Sequence, residues 1–97
     1  MKTNELYELM GKFSIETFPK ADSVDHLKKL QSETLEAIED PKDVYEYADC
    51  LLCIFGAAYK AGFSYEELKL ASETKLYVNK NRKWEKLEDG TYQHINK

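Results

Sequence analysis

Between Tyr47 and Tyr59 the chain is almost wholly apolar, and one carboxylate, Asp49, interrupts it. The run holds no proline and is too long for an ordinary strand, so it predicts the most buried helix of a helical fold, from about Asp43 to Ala61. Gly62 is placed to close that helix, and Gly56 within it predicts a neighbouring helix at close range. Upstream, Leu6, Leu9, Met10 and Phe13 recur at helical spacing and predict a first helix from Asn4 to about Phe18, stopped by Pro19. Asp22 or Ser23 then caps a second helix, Val24 to Glu39, with Leu27, Leu30, Leu35 and Ile38 as apolar contacts. Asp40-Pro41-Lys42-Asp43 reads as a tight turn, with Pro41 at the first helical position or just before it and Asp43 able to cap. It makes the second and third helices antiparallel neighbours. Ser64-x-x-Glu67 is a capping box opening a fourth helix that runs to about Arg82, its apolar side made by Leu68, Ala71 and Leu76 or Val78. After it, Asp89-Gly90 between Leu87 and Tyr92 predicts a small hairpin or a loose extension. The expected fold is an all-α bundle of about four helices, one domain over residues 1–97, with a short C-terminal extension or hairpin.

Composition narrows the partners. A 97-residue chain buries a modest core, which favours a homodimer or homotetramer. A net charge of -4 is the wrong sign for a platform that binds nucleic acid polymers, but leaves room for a single nucleotide. The polar N-terminus carries no secretory apolar segment and no run approaches a membrane span, so a cytoplasmic protein is expected. Cys50-Leu51-Leu52-Cys53 has redox spacing, but it lies inside the apolar helix rather than at an exposed helix start. The remaining candidates for a zinc site are only His26 and His94. Packing is the expected role of both thiols. His26 is expected at the surface or as a cap.

The chemistry is carried by acids. Asp49 is costly to bury unless compensated, and Glu46 lies one turn before it. The preceding helix carries Glu33-x-x-Glu36, at a comparable distance from the turn, so the two pairs can face each other. Lys29, Glu33 and Glu36 share one helix face. Spacing alone is weak, since Glu5/Glu8, Glu36/Glu39, Asp43/Glu46 and Glu85/Glu88 repeat it and read as solvated faces. Oxygen ligands without His or Cys suit Mg²⁺, with Mn²⁺ as a substitute. A ferritin-like di-iron site is disfavoured, because no histidine follows any glutamate by three residues. On the fourth helix, Lys75, Asn79 and Arg82 form a polar stripe, and Trp84 follows the helix end; without further context these read as a solvated face and a packing anchor.

With these residues in view, the chain resembles the MazG-like all-α nucleoside triphosphate pyrophosphohydrolases, whose signature is E-x-x-E followed on the next helix by E-x-x-D. Here it stands as Glu33-Thr34-Leu35-Glu36 and Glu46-Tyr47-Ala48-Asp49. His26-Leu27-Lys28-Lys29, Thr17-Phe18-Pro19, Asp40-Pro41, Ala61-Gly62, Lys75-x-x-x-Asn79-x-x-Arg82-x-Trp84 and His94-Ile95 are similar to the dATP/dGTP diphosphohydrolase (MazZ-like) branch. The likeness spans about Phe13 to Ile95. The chain departs from many relatives at Lys29-Leu30-Gln31-Ser32, where they carry a further glutamate, and the interval from Glu36 to Glu46 is short.

The resemblance implies hydrolysis of a nucleoside triphosphate, a purine dNTP in this branch, between the α and β phosphates. Glu33, Glu36, Glu46 and Asp49 would hold Mg²⁺, with either Glu33 or Glu36 as the carboxylate that handles the water. Lys75 and Arg82 would receive phosphate oxygens, Asn79 would bond the sugar or base, Phe18 or Trp84 would stack on the base, and Lys29 would join the substrate-binding residues. Two other readings stay open: the same chemistry on a pyrimidine or modified nucleotide, and a non-catalytic oligomerisation module in which Asp49 pairs with a partner's Lys or Arg.

Overall fold

A computed structural model describes residues 1–95. Four helices form: α1 (Thr3–Thr17), α2 (Ser23–Glu39), α3 (Val44–Lys60) and α4 (Tyr65–Lys80). The strands β1 (Trp84–Lys86) and β2 (Tyr92–His94) then pair antiparallel, with Trp84 opposite His94. The helix starts follow local chemistry. Asp22 accepts the backbone N–H of Asp25, Asp43 that of Tyr45, and Ser64 that of Glu67, with Glu67 returning the bond in a capping box. Pro41 lies in the turn ahead of α3, and Gly62 closes that helix at φ 93°, a conformation glycine adopts without strain. The hairpin turns at Gly90, where Asp89 accepts both the backbone N–H and the hydroxyl of Thr91.

The main packing is α2 against α3, followed by α1 against α3; α4 rests lightly on α1. The core stripe of α1 is Tyr7, Gly11 and Ser14 rather than its leucines. The Tyr7 ring lies among Phe55, Tyr59 and Tyr65, at centroid distances of 5.3, 5.7 and 5.8 Å. Its hydroxyl donates to the Phe63 carbonyl at 2.7 Å, so the one polar atom of a wholly buried ring has a partner. Gly11 lies directly on the Tyr59 ring. Gly56 admits Ser14, His26 and Met10, as its place in the apolar run predicts.

Three expectations about depth are corrected. Leu27, Leu35 and Ile38 of α2 are exposed; only Leu30 of the expected set is half-buried. The burial of α3 is confined to Phe55, Gly56 and Ala57, so Asp49, in its less covered half, is exposed rather than buried. No residue of α4 is buried, and its Leu70, Leu76 and Tyr77 face outward. The radius of gyration is 15.4 Å, against about 13 Å for a compact domain of this length. Apolar surface on α2, α3 and α4 is thus left without cover in a single chain. No helix among the described residues is long and apolar enough to cross a membrane.

Candidate metal and nucleotide site

The antiparallel α2–α3 pair brings together Glu33, Glu46 and Asp49, each offering a carboxylate oxygen within 4.8 Å of the others. Glu33 is the buried member at 8% exposure, Glu46 is half-buried and Asp49 is open to solvent. Glu33 Oε1 meets the Lys29 ammonium at 3.1 Å. Glu33 Oε2 and Glu46 Oε2 are buried with no hydrogen-bond partner. Two shielded carboxylate oxygens near a third acid, with a single lysine bonded to Glu33 alone, leave negative charge short of compensation. A hard cation held by oxygen donors fits that deficit.

The titration behaviour follows the geometry. Lys29 holds Glu33 below the ordinary carboxylate range, chiefly by its hydrogen bond. Glu36 lies beside Glu33, outside the trio. It is held above the ordinary range, first because a proton on it can be shared with Glu33 and then by the charge of Glu33. Glu46 is raised by desolvation, then by Asp43 and Asp49. Without a cation, the site therefore keeps protons on Glu36 and Glu46 to higher pH than ordinary glutamates.

Beside the acids opens a cavity of about 230 Å³, lined by Met10, Phe13, Phe18, His26, Lys29, Glu33, Asp49, Leu52 and Cys53. A second, of about 220 Å³, shares Phe18, His26 and Lys29 with it. The Phe18 ring stands edge-on to Phe13 at 5.6 Å and to His26 at 6.2 Å. His26, expected at the surface or as a cap, is instead buried, with Nε2 at 3.3 Å from Ser14 Oγ. Burial, aided by Lys60, lowers its pKa and favours the neutral ring. Small residues on α1 and α3 let the imidazole in, and Ser14 and Gly56 were the only sequence signal for it. Cys50 and Cys53 are free and half-buried, in keeping with packing.

The remaining predicted residues gather elsewhere. Arg82 Nη1 donates to Asn79 Oδ1 at 3.3 Å, and Trp84 Nε1 donates to the Asn79 carbonyl at 2.9 Å, so these three cluster where α4 meets the hairpin. Lys75 is one turn earlier on α4. The Trp84 ring meets His94 edge-on at 5.9 Å. A cleft between α4 and α3 is lined by Leu51, Ile54 and Phe55 of α3 and by Tyr65, Leu68 and Ser72 of α4. Leu51 lies about 200° around the helix from Asp49. Within one chain, α4 therefore lies on the far side of α3 from the acids.

Residues 6–97 match the family model described as dATP/dGTP pyrophosphohydrolase. The chain belongs to the dATP/dGTP pyrophosphohydrolase family. Among relatives of this family member, a dATP/dGTP diphosphohydrolase of Salmonella phage PMBT28 is 29% identical over 92 residues, covering 94% of this chain. The match spans 31% of that relative, so the chain has about a third of its length. Among solved structures, the MazG-like pyrophosphohydrolase of cyanophage S-2L, bound to dGDP and three catalytic Mn²⁺ ions per active site, superposes with a TM-score of 0.81. It is 25% identical, over 99% of both chains. The dATP/dGTP pyrophosphohydrolase family member described here thus has a MazG-like helical fold, with its acid trio on the α2–α3 hairpin.

Proposed function

We propose that this chain is a metal-dependent nucleoside triphosphate pyrophosphohydrolase that splits purine deoxynucleoside triphosphates into the monophosphate and pyrophosphate. The observation that carries the reading is the pair of buried, partnerless oxygens on Glu33 and Glu46, set against Asp49 at the mouth of an aromatic-walled cavity. Glu33, Glu46 and Asp49 would hold Mg²⁺ or Mn²⁺. When bound, the cation neutralises phosphate charge and polarises what attacks it. Glu36, beside the trio and raised in pKa, is suited to take the proton of the attacking water as a bond forms at the α-phosphorus and the bond to the pyrophosphate oxygen breaks. Lys29 neutralises Glu33 and stands at the cavity edge for a phosphate oxygen, and Phe18 offers a face to the base. The purine preference draws on the family's description and on the dGDP held by the cyanophage protein.

Incubation with each dNTP and Mg²⁺ or Mn²⁺, with the products resolved by chromatography, tests the assignment. dNMP and pyrophosphate from dATP or dGTP are expected. Orthophosphate instead, or no turnover of any nucleotide, rejects the enzyme reading; turnover of pyrimidine or modified nucleotides alone rejects the purine one.

The homodimer or homotetramer reading gains a specific role. The exposed apolar residues of α4, and the place of Lys75, Asn79 and Arg82 behind α3, support a site in which this stripe serves the acids of a second copy. Asp49→Asn and Arg82→Ala chains, each inactive alone, are expected to regain activity when co-expressed with different tags and purified as the mixed dimer. One of the two sites is then whole, giving about half the wild-type rate. No recovery in a stable mixed dimer would place the stripe in the same chain as the acids.

A further inference from the structure

The α1–α2 loop carries Phe18 to the rim of both cavities, and something outside the loop holds it. Helix α1 has no basic residue in its last turn, and Phe18 is its C-cap. Lys60, in the last turn of α3 and far along the chain, supplies the missing donor: its Nζ gives one hydrogen bond to the Phe18 carbonyl at 2.7 Å and another to the Ala21 carbonyl at 2.6 Å. A charged donor on two carbonyls, one of them at the negative end of α1, makes strong bonds, and the two acceptors bracket Pro19 and Lys20. The grip falls on a residue that lines both cavities and whose ring stands against Phe13 and His26. Lys60 itself lines neither cavity and lies outside the acid trio.

We propose that Lys60 is the positioning residue of the nucleotide site: by fixing the backbone at Phe18 and Ala21 it sets where the Phe18 ring meets the base, and so governs affinity for the nucleotide rather than the chemical step. This rests on the reading of the cavity as a nucleotide site. An aromatic ring earns its stacking contribution only when held in place, because ordering a free loop on binding consumes much of the gain.

The test compares Lys60→Met, Lys60→Arg, Phe18→Ala and the double variant Lys60→Met/Phe18→Ala by steady-state kinetics, with circular dichroism confirming the helices. Lys60→Met is expected to raise KM about tenfold, in line with the loss of one stacked base, and to leave kcat within about twofold. Lys60→Arg, which keeps a charged donor, is expected to restore most of the loss. In the Phe18→Ala background, Lys60→Met is expected to add nothing, the signature of two residues acting through one contact. Should Lys60→Met not fold, Lys60→Gln replaces it in the same cycle, since its shorter amide cannot span both carbonyls. An unchanged KM, a loss confined to kcat, or penalties that add in the double variant would overturn the inference while the nucleotide reading stands. A wild-type protein that turns over no nucleotide would remove both.

Discussion

Asp49→Asn and Glu46→Gln are each expected to reduce turnover on the order of a thousandfold. A bound cation stabilises several kcal/mol of developing phosphate charge, and about 1.4 kcal/mol is worth tenfold in rate. Either change removes one of three oxygen donors that no other acid of the trio can replace. The metal-free protein should respond in the opposite sense. Glu46 has a folded-state pKa above its ordinary value, so the folded state binds its proton more tightly than the unfolded chain does. Its contribution therefore disfavours the fold above that raised pKa, and the penalty is relieved as pH falls through it. Glu46→Gln removes the penalty. The metal-free variant is expected to melt at least as high as wild type near neutral pH, and to lack the rise in melting temperature expected of wild type on adding Mn²⁺. The affinity of the wild type for Mn²⁺ should weaken on the acid side from a pH above that of an ordinary glutamate, because metal-free Glu46 must shed its proton to receive the ion. Calorimetry with and without Mn²⁺, beside a pyrophosphate-release assay, checks both arms. A variant that keeps its metal-induced stabilisation or near-normal turnover would show that the trio is not the metal site.

Gly11→Ala is expected to be the most damaging small change to the fold. In an ordinary helix interior the replacement is favourable by about 1 kcal/mol, because glycine is a poor helix former. Here the added methyl would overlap the Tyr59 ring of α3, and that ring belongs to the cluster around Tyr7. Forcing the helices apart costs about 2–3 kcal/mol or more after the propensity gain, which for a chain of this size lowers the melting temperature by about 10–20 °C. At Gly56 the same change meets the Ser14 hydroxyl at 3.0 Å, where a few tenths of an ångström of movement suffices. Gly11→Ala should therefore cost clearly more than Gly56→Ala in thermal melts followed by circular dichroism. Equal melting temperatures for the two would mean that the Tyr59 ring swings aside freely.

Helices, caps and the hairpin were legible in the sequence because they are local. Asp22, Asp43 and Ser64 announce helix starts through their own side chains, Gly62 an end, and Asp89-Gly90 a turn. Depth was not legible. The acid spacing places Glu33, Glu46 and Asp49 on facing helix surfaces, but which of them is buried depends on where α1 crosses. That crossing is set by Gly11, Ser14 and Gly56, residues an apolar pattern does not flag. The run from Tyr47 to Tyr59 suggested a buried Asp49, yet the buried carboxylate is Glu33. Leu35 and Ile38 keep helical spacing while pointing at solvent, since periodicity finds a face but not what covers it. The reach of Lys60 to Phe18 and Ala21 joins positions about forty residues apart and leaves no trace in any short motif.

The chain has seven tyrosines and a single tryptophan. That indole sits at the root of the hairpin, bonded to the last turns of α4 and set against His94. Indole fluorescence will therefore register the hairpin peeling from its helix, whereas the far-ultraviolet signal follows the helices. Any temperature gap between the two measures how loosely the C-terminal end is fastened compared with the Tyr7 cluster.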